Sequence, residues 1–254
     1  MKGEVLTTAM YQNRSYRNLL YKGDLISFRV VVNETDLFVH AKKPLEDITK
    51  ELILKYRGYI EGYIRRHPAF VSALVPWRLN GPLPTIIREM VGAGDKTGVG
   101  PMAAVAGAIA EHVGLDLLSY TDEIIVENGG DVFLKTHAPV TVGIFAGDSP
   151  LSLRTGLRIN PGENPLSVCT SSGTVGHSLS FGKADAVCVI SRSCSLADAA
   201  ATSIGNKVES KAHIQQAIDF GKQIEGIVGI IVIVSDAVGA WGEVEMVPLE
   251  REKG

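Results

Sequence analysis

The chain has 254 residues, 45% of them apolar and 21% charged, with a formal net charge of −3. These proportions fit a globular protein of one large domain or two intimate subdomains, and exclude a disordered or coiled-coil chain. No basic tract invites nucleic acid, and the most apolar run, residues 226–234, is too short to span a bilayer and, rich in β-branched residues, is better explained as a buried strand.

The N-terminal stretch MKGEVLTTAMYQNRSYRN lacks the apolar core of a signal peptide. Three cysteines cannot all pair within one chain, and Cys188-x5-Cys194 is not a structural zinc spacing, so a reducing cytoplasm is expected. Residues 25–32 (LISFRVVV) and 37–41 flank the turn signal Asn33-Glu34-Thr35-Asp36 and predict a hairpin. Pro44 then opens a long helix, with Glu46 and Asp47 in its first turn, where the helix dipole favours acids. Ile48, Leu52, Tyr56, Ile60 and Tyr63 recur at helical spacing as its buried stripe, and Pro68 stops it after Arg65, Arg66 and His67. Pro76, Gly81, Pro82 and Pro84 make residues 70–85 a rigid connector, and residues 86–90 add a turn or two of helix. A glycine-rich loop, GAGDKTGVG at 92–100, leads into a small-residue helix over residues 101–112, with Met102, Val105, Ala106, Ile109 and Val113 as its apolar face.

Residues 123–126 and 132–135 read as strands around the hairpin turn Asn128-Gly129-Gly130-Asp131. Residues 140–145 and 151–159 continue the β pattern, and residues 184–190 form a core strand that accounts for Cys188. The Ala-Asp-Ala-Ala-Ala-Thr run from Ala197 starts a helix, residues 211–224 are helical, and residues 227–234 and 244–247 close the chain as strands. Strands in hairpin order with long helices between them give an α+β fold, antiparallel sheets with helices packed against them, rather than a doubly wound sheet.

Residues 167–206 concentrate the chemistry. They hold all three cysteines, a Ser/Thr/Gly loop and His177. The loop at 92–100 is no Walker A motif, because Asp95 precedes Lys96-Thr97 and no strand feeds it; the same lack of a strand excludes a dinucleotide fingerprint at Gly98-x-Gly100-x-x-Ala103. It is either a glycine loop presenting the free N–H groups of a helix start to an anion, or a plain connector. Asp198 and Thr202 are four apart and share a helical face. They suit a hard cation such as Mg²⁺, or else Asp198 only complements the helix dipole while Thr202 bonds back to a carbonyl. Cys169 precedes Thr170-Ser171-Ser172-Gly173, where exposed backbone donors would lower its pKa and make it a nucleophile or sulfur carrier; the alternative is a small buried hydrophobe. His177 is a loop histidine, a base or ligand on one reading and a hydrogen-bonding surface group on the other.

In this order the pieces resemble the ApbE superfamily, best known for FAD:protein FMN transferases. The resemblance runs from about Pro101 to Asn206 and rests on the small-residue helix at residues 107–111, Gly129-Gly130-Asp131, Thr170-Ser171-Ser172-Gly173 followed by His177, and Ala197-Asp198-Ala199 with Thr202. Each motif is short, and the series carries the specificity. It implies an ApbE-like α+β fold, FAD or FMN as ligand, and Mg²⁺ held by Asp198 and Thr202 with help from a backbone carbonyl near the small-residue helix. The expected cleft lies between the loops at 92–102 and 170–177. There Gly98, Gly100, Met102, Gly129, Gly130, Asp131, Thr170, Ser171, Ser172 and Gly173 would bind a phosphorylated small molecule, with Cys169 and His177 as candidate catalytic groups. The transferases carry Lys-Gly where this chain has Ala106-Gly107, and a His-Ile-x-Asp-Pro-x-x-Gly segment of which only Gly176-His177-Ser178 stands here. Thr35-Asp36-Leu37 and His67-Pro68-x-Phe70 look instead like a cytoplasmic branch of methanogenic archaea and some anaerobic bacteria, whose archaeal members are linked to sulfide assimilation into cysteine and homocysteine. Three functions stay open. They are Mg²⁺-dependent binding of a phosphorylated ligand, with phosphoryl transfer if it is an enzyme; sulfur handling through a persulfide on Cys169; and a non-catalytic binding module on the same fold. Small-residue surfaces are compatible with a homodimer.

Overall fold

The computed structural model describes residues 24–78, 81–173 and 182–249. Strand β1 (Ile26–Val32) turns back onto β2 (Thr35–Ala41) with Val32 opposite Thr35, so Asn33 and Glu34 alone make the turn, Asn33 at φ 52°. Helix α1 (Glu46–Arg66) buries Thr49, Leu52, Ile53, Tyr56, Ile60 and Tyr63, while Ile48 lies half-buried at the margin of that stripe. A 3-10 turn (Pro68–Ser72) follows, and the proline-rich connector beyond it is irregular.

Helix α2 (Thr85–Thr97) corrects the expected glycine loop. Residues 92–97 are helical, and the chain leaves the helix at Gly98, a left-handed C-cap at φ 75°, with residues 98–100 as the short link to the next turn. Packing overrides the low helix propensity of glycine here: Ala93, Gly94 and Thr97 are buried, and the Ser203 hydroxyl donates to the Thr97 carbonyl at 2.6 Å. A 3-10 turn (Pro101–Ala104) then leads into α3 (Val105–Leu117).

Strands β3 (Ile124–Asn128) and β4 (Asp131–Lys135) meet through Gly129 at φ 69° and Gly130 at φ 111°, the positive angles that a two-residue hairpin demands. Next come β5 (Val140–Gly143) and β6 (Thr155–Ile159); residues 151–154, expected as strand, are turns with Leu153 at φ 52°. The chain continues through β7 (Leu166–Ser171), β8 (Ala186–Ser191), α4 (Cys194–Gly205), α5 (Ile214–Gly221), β9 (Ile227–Val234), β10 (Ala237–Gly242) and β11 (Glu245–Pro248). Strand β10 has no counterpart in the sequence reading: AVGAWG is small and largely exposed, and only its pairing with β9 makes it a strand.

The described strands form an antiparallel sheet in the order β1-β2-β3-β4-β7-β8-β9-β10 and a smaller one in the order β11-β6-β5. Helices α1, α3, α4 and α5 pack on the large sheet, and α2 packs on α4 as an outer layer. The fold is α+β. Alternate residues of the central strands serve two cores: Val126, Cys169, Val187, Val189, Ile230 and Val232 face the helices, whereas Ile125, Val168, Cys188, Ile190, Ile231 and Ile233 face the small sheet. Burial on both faces explains why the central strands read as unbroken apolar runs. Among the described residues no single helix is long and apolar enough to cross a membrane.

Candidate functional site

The site is built where the starts of α3 and α4 cross. Ser193 caps α4, its side chain accepting the Leu196 N–H, so Asp198 stands in the second turn and is not a cap. Its carboxylate caps the neighbouring helix instead. The Gly107 N–H donates to Asp198 Oδ2 at 2.9 Å, and the Ala106 N–H also points at this carboxylate. In return Glu111 of α3 serves α4, its Oε2 accepting the Cys194 N–H at 2.9 Å and the Ser195 N–H at 3.2 Å. Each helix satisfies the orphan donors of the other. Only glycine permits the approach: a Cβ on Gly107 would lie 2.5 Å from the Cys194 carbonyl oxygen and 2.9 Å from Asp198 Cβ. The expectation of free N–H groups aimed at an anion is therefore overturned for α3, because Asp198 already takes them.

Asp198 is half-buried, and desolvation pushes its pKa up to about 7 against the pull of the Gly107 and Ala106 N–H groups. Asp131 starts β4 directly opposite Cys169 on β7 and is buried. It too is held well above the ordinary carboxylate range, first by burial and then by the charge of Asp198, while the Cys169 thiol and the Thr170 N–H pull the other way. Two carboxylates thus share one poorly solvated place. Glu111 is raised as well, chiefly by burial.

Cys169 does not meet the expectation of an activated thiol. It is fully buried in the helix-side core, and burial, followed by its contact with Cys194, drives its pKa up, so its thiol stays protonated. Its Sγ lies 3.4 Å from the Cys194 carbonyl and 3.5 Å from Cys194 Sγ. Cys188 sits in the other core as expected, its thiol pushed up to about 11 by burial, and accepts the Thr170 hydroxyl at 3.3 Å.

In front of Asp198 opens a cleft of about 290 Å³. One wall is α4, where Asp198, Thr202 and Asn206 arrive on successive turns; the others are Val71, Ala73 and Leu74 of the connector, and Gly100, Met102, Ala103, Val105 and Ala106 at the approach to α3. Among the described residues that line the cleft, Asp198 is the one charged side chain. Of the predicted residues, Gly100, Met102, Asp198 and Thr202 come together here, and Asp131 lies behind Asp198. Met102, Val105 and Ala106, expected to face the core, line this cleft half-buried, while Ala108, Ala110 and Leu117 take the core side of α3. Gly98 serves as the α2 cap, and Gly129 and Gly130 serve as the hairpin turn, the Gly130 N–H bonding Glu127 Oε1 at 2.9 Å. Thr170 and Ser171 end β7, and Gly173 just beyond Ser172 donates its N–H to the Ala184 carbonyl at 2.9 Å; none of these four is a wall of this cleft. His177 and the rest of its predicted loop, residues 174–177, lie outside the described residues.

Asn206, Glu111 and the Val71–Leu74 wall escaped the sequence reading. Asn206 was within its reach, since it extends the Asp198–Thr202 spacing by one more turn. Among the described residues no group of three or more His, Cys, Asp or Glu side chains is placed to share a metal. A cation at Asp198 would draw its other ligands from the Thr202 hydroxyl, main-chain carbonyls, water or a bound ligand. Such an all-oxygen set suits Mg²⁺.

The family model described as "AbpE bacteria" matches residues 17–243. The UPF0280 protein of Methanocella arvoryzae is 42% identical over 215 residues, covering 83% of this chain and 86% of its own length. That of Methanocaldococcus jannaschii is 40% identical over 230 residues, covering 88% and 93%. Among solved structures, the apo form of the flavinyl transferase ApbE of Pseudomonas stutzeri aligns with a TM-score of 0.55 at 12% identity, over 86% of this chain and 94% of its own. The ApbE protein of Thermotoga maritima aligns with a TM-score of 0.51 at 14% identity, over 85% and 96%. At these identities the two structures show a common fold and no more. With the model spanning most of its length and close relatives in methanogens, the chain belongs to the AbpE bacteria family, on an ApbE-like fold.

Proposed function

We propose that the cleft binds a phosphorylated small molecule of the flavin-nucleotide class together with Mg²⁺ held at Asp198 and Thr202. The observation that carries this reading is the α4 wall, where a carboxylate, a hydroxyl and an amide follow one another at successive turns on a cleft with no cationic side chain among the described residues that line it. An anionic ligand there needs a counter-ion, and an oxygen-only wall favours a hard one. The flavin part takes its direction from the flavin transferases ApbE whose fold the chain shares. Bound Mg²⁺ would neutralise phosphate charge. The chain's own residues do the rest. The Gly107 and Ala106 N–H groups fix the Asp198 carboxylate, Asp131 keeps a second acid behind it, and Val71, Leu74, Met102 and Val105 give the ligand an apolar surface. The cleft is at the small end of ligand sites, so it takes part of a nucleotide and leaves the rest outside. Binding is the proposal, and FMN transfer is not, since Ala106 stands where the transferases carry lysine. The persulfide reading loses its motivation with Cys169 buried and protonated.

Calorimetry with FMN, FAD and ADP, with and without Mg²⁺, tests the proposal. The expected result is binding that weakens at least about tenfold without Mg²⁺, and by a similar factor in Thr202→Val, which keeps the Asp198 cap intact; tenfold corresponds to about 1.4 kcal/mol. No binding of any of the three in the presence of Mg²⁺ would sink it.

A further inference from the structure

We propose that Cys169 and Cys194 are a disulfide-forming pair, joined by two-electron oxidation into a reversible tie between β7 and the first turn of α4. Their sulfur atoms already touch at 3.5 Å, with no side chain between them. One sulfur comes from a strand of the large sheet and the other from the first residue of a helix packed on it, 25 positions later. Bonding them needs the sulfurs to close by roughly 1.5 Å, to the usual S–S length of about 2.05 Å, which side-chain rotation and a small settling of the helix start supply. The third thiol, Cys188, is kept apart by the sheet itself, because it faces the other core. The geometry thus selects one pairing of the three that are possible.

Hydrogen peroxide is a small, uncharged oxidant suited to a buried pair. One sulfur attacks a peroxide oxygen, the O–O bond breaks, and a sulfenic acid and one water result. The second sulfur then displaces the hydroxyl of that sulfenic acid, which leaves as a second water carrying the second thiol's proton, and the S–S bond forms. Two thiols lose two electrons, and one peroxide becomes two waters. Protonation of both thiols makes the first step slow, whereas contact makes the second fast, so the disulfide is the product that accumulates. Oxidation also removes the thiol hydrogen that Cys169 donates to the Cys194 carbonyl. This proposal is independent of the ligand proposed for the cleft.

The test exposes the full-length reduced chain to hydrogen peroxide under native conditions, removes the oxidant, then unfolds and alkylates. The number of alkylated cysteines is expected to fall from three to one, the intact mass before alkylation to fall by about 2 Da for the two hydrogens lost, and peptide mapping to join Cys169 to Cys194 with Cys188 alkylated. Dithiothreitol should restore all three. Cys194→Ser should give no cross-link and a dimedone-reactive sulfenic acid at Cys169. Three alkylatable thiols after oxidation, a bond to Cys188, a bond between two chains, or sulfinic acid without a cross-link would each overturn the proposal, and the wild-type map decides among these whatever the variant does.

Discussion

The carbon that Gly107→Ala adds would press on the Cys194 carbonyl at 2.5 Å and on Asp198 Cβ at 2.9 Å. Both belong to the frame of α4, and neither can swing aside as a long side chain could. The substitution is therefore expected to destabilise the fold by about 1–3 kcal/mol, as overpacking does, seen as a lower urea midpoint at unchanged slope. Gly92 is the control. It lies inside α2 with nothing within 4 Å of an added Cβ, so Gly92→Ala should stabilise by about 0.5–1 kcal/mol through helix propensity. The sequence marks both as glycines in small-residue stretches and cannot tell them apart. Which glycine is a contact and which is slack depends on a neighbour 91 positions away, as the Gly107–Asp198 hydrogen bond is. The same limit explains Cys169. Its local company of Thr and Ser suggested exposed donors, whereas its burial is decided by α4 laid across β7.

Among the elements, the crossing of α3 and α4 rests on exchanged carboxylates. Glu111→Ala would leave the Cys194 and Ser195 N–H groups without their acceptor, at a cost of about 1–2 kcal/mol. Glu111→Gln retains an acceptor oxygen and should cost less. Chemical denaturation gives the order of the two variants, and amide exchange at Cys194 and Ser195 shows whether the loss is local. Elements carrying strong periodicity or turn chemistry were legible in advance: α1 from its stripe and flanking charges, and the β3–β4 hairpin from Gly129-Gly130. Those held by partners were not. Helix α2 runs through two glycines because α4 covers it, and β10 is a strand because β9 offers it a ladder. In the site, the spacing of Asp198 and Thr202 left a cation and a helix-dipole reading both open and the resemblance of the motif series favoured the first, while the Val71–Leu74 wall was hidden because a proline-rich connector has no period to read.

For the molecule as a whole, a buried histidine on β2 is expected to contribute sensitivity to acid. His40 is 3% exposed, with Nδ1 2.8 Å from Ser27 Oγ, and burial lowers its pKa to about 4. The unfolded chain accepts this proton near the ordinary value of 6.5, before the folded chain does. The contribution of His40 to stability is thus complete above about pH 6.5, is lost as pH falls from there toward about 4, and amounts to at most about 3 kcal/mol. His40→Gln should flatten that limb of the stability curve, which urea titrations at neutral pH and at about pH 5 can measure. An unchanged slope in the variant would assign the acid limb to other groups.

The alternation of the central strands turns Cys169 toward the helices, where Cys194 of α4 meets it, and the alternation of β8 turns Cys188 toward the small sheet. The three thiols are consequently built-in reporters at known addresses. Alkylation in a graded denaturant series dates the opening of the helical layer by the first two and that of the small-sheet layer by the third, in one native chain with no label added.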